Sequence, residues 1–262
     1  MPELTLPALD TTLLLIIAMG AFFAGLVDAV VGGGGLVQIP LLFSAFPNTA
    51  PAVIFGTNKL ASVVGTSSAA WQYARRIDID WRLAWPAIVA AFIASWLGAR
   101  SVALLPPDAL RPLVLLLLIA VAIYTFAKKD FGSLQRETGL TTSSQRRIAI
   151  GAGALIGFYD GFFGPGTGSF LIFAFIRFLG MDFLRASAMA KLVNVATNLA
   201  AILFFAAHGS VLWLAAGLMA AANLSGAVVG SRLALKHCSG FVRKVFLFVV
   251  CVLILKLASD LI

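Results

Sequence analysis

The chain has 262 residues, 61% of them hydrophobic and 11% charged, with a mean hydropathy of +1.00. A soluble domain is about 45–50% apolar and about 25% charged, so a fully water-facing surface is excluded and a bilayer is the expected solvent. The formal charge of +8, from 19 Lys+Arg against 11 Asp+Glu, reads as membrane topology and gives no ground for a nucleic-acid partner.

Apolar runs predict the helices in chain order. The first covers 11–31; Glu3 and Asp10 precede it where a cleavable signal peptide would carry cations, so this span is expected to be retained. A short run over 36–46 follows, then 52–74, 83–104 and 112–127. The longest polar stretch, Lys128 to Arg147, is too short for a nucleotide-binding domain, and no GxxxxGKS or GxxxxGKT phosphate loop occurs. The pattern then restarts at 148–163, with a short run over 168–179, then 186–207, 211–231 and 242–260. Cys238 and Cys251 make no CxxC or framework.

The restart is a repeat. Pairing each residue with the one 132 positions later aligns Gly25 with Gly157, Asp28 with Asp160, Lys59 with Lys191, Trp81 with Trp213 and Arg100 with Arg232. Over 25–115 there are 18 identities in 91 positions, where composition alone gives roughly eight. An internal duplication is implied, with a first repeat over 1–130, a cytoplasmic linker over 131–147 and a second repeat over 148–262.

A run of about 11 residues reaches only about 17 Å of a roughly 30 Å hydrocarbon core, so length alone makes the two short runs re-entrant. Charge decides otherwise. With eight spans the loop Lys+Arg divide nine against eight; with ten spans they divide fourteen against three, leaving only Arg100, Arg111 and Lys256 on the poorer side. The second division obeys the positive-inside rule. The expected fold is therefore an all-α polytopic membrane protein of about ten helices, two inverted five-span repeats each with a short, broken second helix, in the plasma membrane with both termini outside.

Glycine-rich breaks precede both short runs: Gly32 to Gly35, and Gly161 to Phe170 with Pro165 inside. Gly destabilises a helix by about 1 kcal/mol relative to Ala, and Pro removes a backbone donor. Helices that restart after such breaks present unpaired N–H groups to an anion, and equivalent breaks in two halves point to a transporter's binding site. The alternative is a tight loop or close packing. Asp28, Lys59, Asp160 and Lys191 are charged within apolar surroundings, where charges face a polar cavity or one another. Steps of three and seven from each lysine keep one helical face and give Lys59, Ser62, Thr66 and Lys191, Asn194, Asn198. Against a ligand role, the lysines could snorkel. The aspartates could satisfy the broken backbone, pair with a cation or bind protons.

The segments GLVDAVVGGGG (25–35), FGTNKLASVVGTSSA (55–69), GFYDGFFGPGTGSF (157–170) and AKLVNVATN (190–198) together resemble the duplicated motifs of the TauE/SafE family of bacterial membrane permeases. The resemblance implies transport of small, typically sulfur-containing anions across the plasma membrane. The reading is an exporter of sulfite or an organosulfonate such as sulfoacetate, working by alternating access between the repeats, not an enzyme. Lys59 and Lys191 supply charge, Gly33, Gly34, Gly35, Gly166, Thr167 and Gly168 supply backbone donors, and Ser62, Thr66, Asn194 and Asn198 add hydrogen bonds. Asp28 and Asp160 are coupling or structural residues. Neither a metal nor a cofactor is called for; the partners are the anion and the bilayer, and a homo-oligomer is compatible with this.

Two rivals stand beside it: a cation or metal transporter using Asp28 and Asp160, which lack accompanying ligands, and a non-transport membrane assembly factor. An intramembrane enzyme is disfavoured because no nucleophile and base stand together. Topology is testable with single cysteines. Asp80→Cys and Gly240→Cys should react with an impermeant thiol reagent only from the cytoplasm, and Ser210→Cys only from outside. Labelling of 80 and 240 from opposite faces would restore eight spans.

Overall fold

Helices account for nearly all of what a computed structural model describes, namely residues 11–102, 104–106, 110, 112–117, 119–120 and 139–236, and those residues contain no strand. In chain order the helices are α1 (Thr11–Val31), α2 (Gly35–Ala45), α3 (Pro51–Ala74), α4 (Trp81–Val102), α5 (Thr142–Phe162), α6 (Thr167–Leu179), α7 (Phe183–Ala207) and α8 (Trp213–Lys236). Residues 112–117 and 119–120 of the run expected over 112–127 are helical; the run expected over 242–260 lies outside the described residues. Helices α2, α3 and α4 start 132 residues before α6, α7 and α8 respectively, so the duplication seen in sequence is also a duplication of helix boundaries.

Local chemistry explains these starts. Pro51 opens α3 after an extended Ala50, using a position where its missing N–H costs nothing. The Asp182 carboxylate accepts from the amides of Leu184 and Arg185, a full N-cap for α7. Helix α5 begins six residues before its apolar run because Thr141 caps it, accepting from the Ser144 amide. Residues 142–147, expected as linker, are thus its first turns. Helices α1, α4, α7 and α8 are long and apolar enough to cross a membrane. Helices α2 and α6, of 11 and 13 residues, span only about 17 and 20 Å.

Glycines set the packing. On α5, Gly153, Gly157 and Gly161 abut the backbones of Ala87, Ala91 and Ser95 on α4. Both series rise together, so the two helices run parallel at close range, as small residues at four-residue spacing allow. The same relation recurs between α1 and α8: Gly226 abuts Phe22 and Gly230 abuts Leu26 and Ala29. The first helix of each half thus packs on the fourth helix of the other half.

Helices α3 and α7 fill the middle in opposite directions. Gly56, near the start of α3, touches Phe205 at the end of α7, and the Leu212 amide beyond it donates to Thr57 Oγ1 at 3.0 Å. The Trp81, Trp85 and Trp213 rings lie exposed at helix starts, as expected of interface anchors.

A side chain at Gly161 would overlap the Ser95 carbonyl, whereas one at Gly151 meets open space. Gly161→Leu should therefore lower stability by about 1–3 kcal/mol, and Gly151→Ala should leave it within about 0.5 kcal/mol. Thermal unfolding of the purified protein in detergent measures both.

Candidate functional site

The two glycine breaks meet. Helix α1 ends at Val31 and the chain turns through Gly32, whose φ is +80°; after α5 it turns through Gly164 and Gly166, with φ +97° and +82°. Such dihedrals are open to Gly at no steric cost. Gly32 and Gly168 lie backbone to backbone with no room for a Cβ on either. Ser169 fastens the crossing: its amide donates to Gly32 O at 3.1 Å and its hydroxyl to Val31 O at 2.6 Å. The last turns of α1 and α5 therefore approach head to head, carrying Asp28 and Asp160 to the same region.

Each aspartate meets a lysine from the other half. Lys59 Nζ donates to Asp160 Oδ2 at 2.7 Å, with both side chains 2% exposed. Lys191 Nζ donates to Asp28 Oδ2 at 3.1 Å and also to the Asp28 main-chain oxygen. Because Lys59 corresponds to Lys191 and Asp28 to Asp160 in the repeat, the two bridges are equivalent, crossed between the halves. Their surroundings differ. Asp28 also accepts from Thr66 Oγ1 at 3.2 Å and, at a long 3.5 Å, from the Gly34 amide.

A small polar cavity opens beside these groups. Of the residues expected to bind, Lys59, Ser62, Thr66, Gly35, Gly166, Gly168, Asn194 and Asn198 line it, together with Asp28 and Asp160. Gly33, Gly34, Thr167 and Lys191 are not among its lining; the Thr167 hydroxyl instead donates to Gly164 O at 2.7 Å, closing the break on itself. The Gly35 and Gly168 amides are the expected orphan donors: among the described residues they have no acceptor.

Two buried amides escaped the sequence reading. Asn58 lines the cavity with an unpaired Oδ1, and Gln38, wholly buried, accepts from Ser62 at 3.4 Å while its Nε2 is unpaired. Their repeat counterparts are Ala190 and Phe170, so the search for matched polar pairs passed over them. The asymmetry of each pair with its counterpart is the signal that could have found them.

The two ends of the α3 and α7 pair also differ. At one end Val211 and Leu212 are buried against the start of α3. At the other, their counterparts Ile79 and Asp80 border a second cavity with Asp78, Arg82, Arg185 and Met189.

Snorkelling is excluded for Lys59 and Lys191, which are 2% and 1% exposed, and so is a harmless truncation of either. Lys59→Ala leaves a buried, unpaired carboxylate, a loss of about 3–5 kcal/mol, whereas replacing a buried pair by apolar groups is often neutral. Thermal unfolding should therefore rank Lys59→Ala well below the double variant Lys59→Met, Asp160→Leu.

The profile of the family described as "Sulfite exporter TauE/SafE" matches residues 17–257. A Sinorhizobium sp protein named "Probable membrane transporter protein ORF9" is 34% identical over 249 residues, covering 95% of this chain and 93% of that one. "Probable membrane transporter protein YfcA" of Escherichia coli (strain K12) is 35% identical over 245 residues, covering 92% and 87%. A "Probable membrane transporter protein" of Haemophilus influenzae is 31% identical over 249 residues, covering 95% of each. No solved structure matches the chain. A profile spanning most of the sequence, and relatives above 30% identity along nearly their whole length, establish that this chain belongs to the TauE/SafE family of membrane transporters.

Proposed function

We propose that this transporter exports small anions, sulfite or an organosulfonate such as sulfoacetate, by alternating access at the cavity between two inverted five-span repeats of the plasma membrane. The observation that carries the reading is the cavity itself. Beside the Asp28 and Asp160 carboxylates it joins the Lys59 ammonium, the unpaired Gly35 and Gly168 amides and the Asn194 and Asn198 side chains, and ammonium and amide N–H groups are the donors that oxyanions take.

Helix directions support the inversion. Helices α1 and α5 meet by their C-terminal turns, α3 and α7 run antiparallel, and α4 lies parallel to α5 as α1 does to α8. Four-span halves repeated in one orientation would make α3 and α7 parallel. Under this topology the fifth span of each half completes the crossing and both termini lie outside. The closed end at Val211 and Leu212 and the cavity at Asp78 to Arg82 support alternating access from the cytoplasm, the side on which this topology puts Arg75, Arg76, Arg82, Arg146 and Arg147.

The cation reading fares less well because Asp28 and Asp160 share the cavity with a lysine, amides and hydroxyls, a donor set poor in the ligands that a transition metal takes. Counterflow into proteoliposomes decides between them: labelled sulfite should exchange against sulfite, thiosulfate or sulfoacetate. Uptake of divalent metal with no anion exchange would overturn the proposal. Because Lys59→Ala alone strands a charge, its role is read in the Lys59→Ala, Asp160→Asn background. There, loss of a charge-assisted hydrogen bond of about 1.5–3 kcal/mol weakens anion affinity roughly ten- to more than hundredfold. Lys59→Arg should restore little, because a planar fork does not replace a compact ammonium.

A further inference from the structure

We propose that Asp160 is the coupling-ion site of this transporter: an anion that binds Lys59 displaces the Asp160 carboxylate, which takes up a proton, so that anion and proton move together. The inference rests on the anion reading above. Lys59 and Asp160 both line the cavity and are each other's partners at 2.7 Å, so the ammonium that an anion needs is occupied by an anion already. An incoming ligand that left the carboxylate in place would add negative charge beside it in a poorly hydrated site. One that displaced it would strand a buried carboxylate, which is strongly unfavourable. Such a group neutralises instead, here by a proton on a carboxylate oxygen.

The equivalent bridge does not share this role. Lys191 is not among the cavity lining. Asp28 is held by Lys191, Thr66 and the Gly34 amide together. The groups that bear on Asp160 are few. Lys59 comes from α3, and Tyr159 lies on α5 with its hydroxyl donated to Pro165 O at 2.6 Å. Lys191 on α7 is engaged by Asp28. Helix α4 has no charged residue between Arg82 and Arg100, and Arg177 of α6 is exposed near that helix's far end. Proton uptake at Asp160 is therefore balanced against Lys59, with the Asp28 carboxylate lining the same cavity.

The sign follows from linkage. Anion binding that brings one proton with it tightens as pH falls, approaching tenfold per pH unit, and each anion carries one negative charge fewer across the membrane. The experiment uses the full chain in proteoliposomes with thiosulfate, whose charge is constant near neutral pH, recording labelled uptake, interior pH and the voltage at which net flux reverses. For the wild type, flux should bring one proton per anion, and a pH gradient alone should drive accumulation. In Asp160→Asn, proton movement should vanish and affinity should lose its pH dependence; the flux remaining in Asp28→Asn should still carry its proton.

Anion flux in the wild type without proton movement, or an unchanged proton stoichiometry in Asp160→Asn, would overturn the coupling and leave the anion reading intact. Absence of exchange with every anion of the sulfite, thiosulfate and sulfoacetate panel would overturn both. If Asp160→Asn fails to fold, the wild-type reversal voltage, measured with and without a pH gradient, still overturns the proposal when it is unmoved by the gradient.

Discussion

Two ion pairs, one buried and one partly buried, each joining a lysine of one half to an aspartate of the other, are the constraint around which this molecule is arranged. A lysine or aspartate alone in an apolar helix bundle is a heavy penalty, and neither half supplies its own remedy. Docking Lys59 on Asp160 and Lys191 on Asp28 satisfies all four charges at once and only when the halves associate in one register. The pairs thus specify the interface more than they stabilise it, since an apolar replacement of matching volume could hold the bundle as well.

That register needs close backbones. Glycines perform this at two levels: along α4 and α5, and along α1 and α8, where they admit the neighbouring main chain, and at the breaks, where Gly32 and Gly168 pass in direct contact. The breaks then serve chemistry as well as packing. Stopping α1 and α5 within the molecule frees the amides at the starts of α2 and α6, and head-to-head approach of the two stops gathers those amides around one cavity. A polar, irregular stretch of backbone at membrane depth is tolerated because protein rather than lipid surrounds it.

The halves are equivalent in topology and unequal in chemistry. Both members of one bridge line the cavity, whereas the other gives it only Asp28, which Thr66 and the Gly34 amide also hold; one end of the α3 and α7 pair is closed over and the other borders a second cavity. A symmetric frame with asymmetric contents suits the proposed alternating-access carrier.

The sequence by itself determined the solvent, through composition, and the duplication, through identities too costly to arise in apolar helices by accident. It also located both breaks, all four charges within the apolar helices and most of the polar residues that line the cavity, because each of these is a local property of spacing along one helix. Only the tertiary structure decided that each aspartate pairs with the lysine of the opposite half, that Lys191 is withdrawn from the cavity while Lys59 faces it, and that Gln38 and Asn58 join the polar interior. Helical periodicity says which face a side chain occupies; which helix meets that face depends on long-range packing, where glycine contacts between distant segments and the need to pair every buried charge act together.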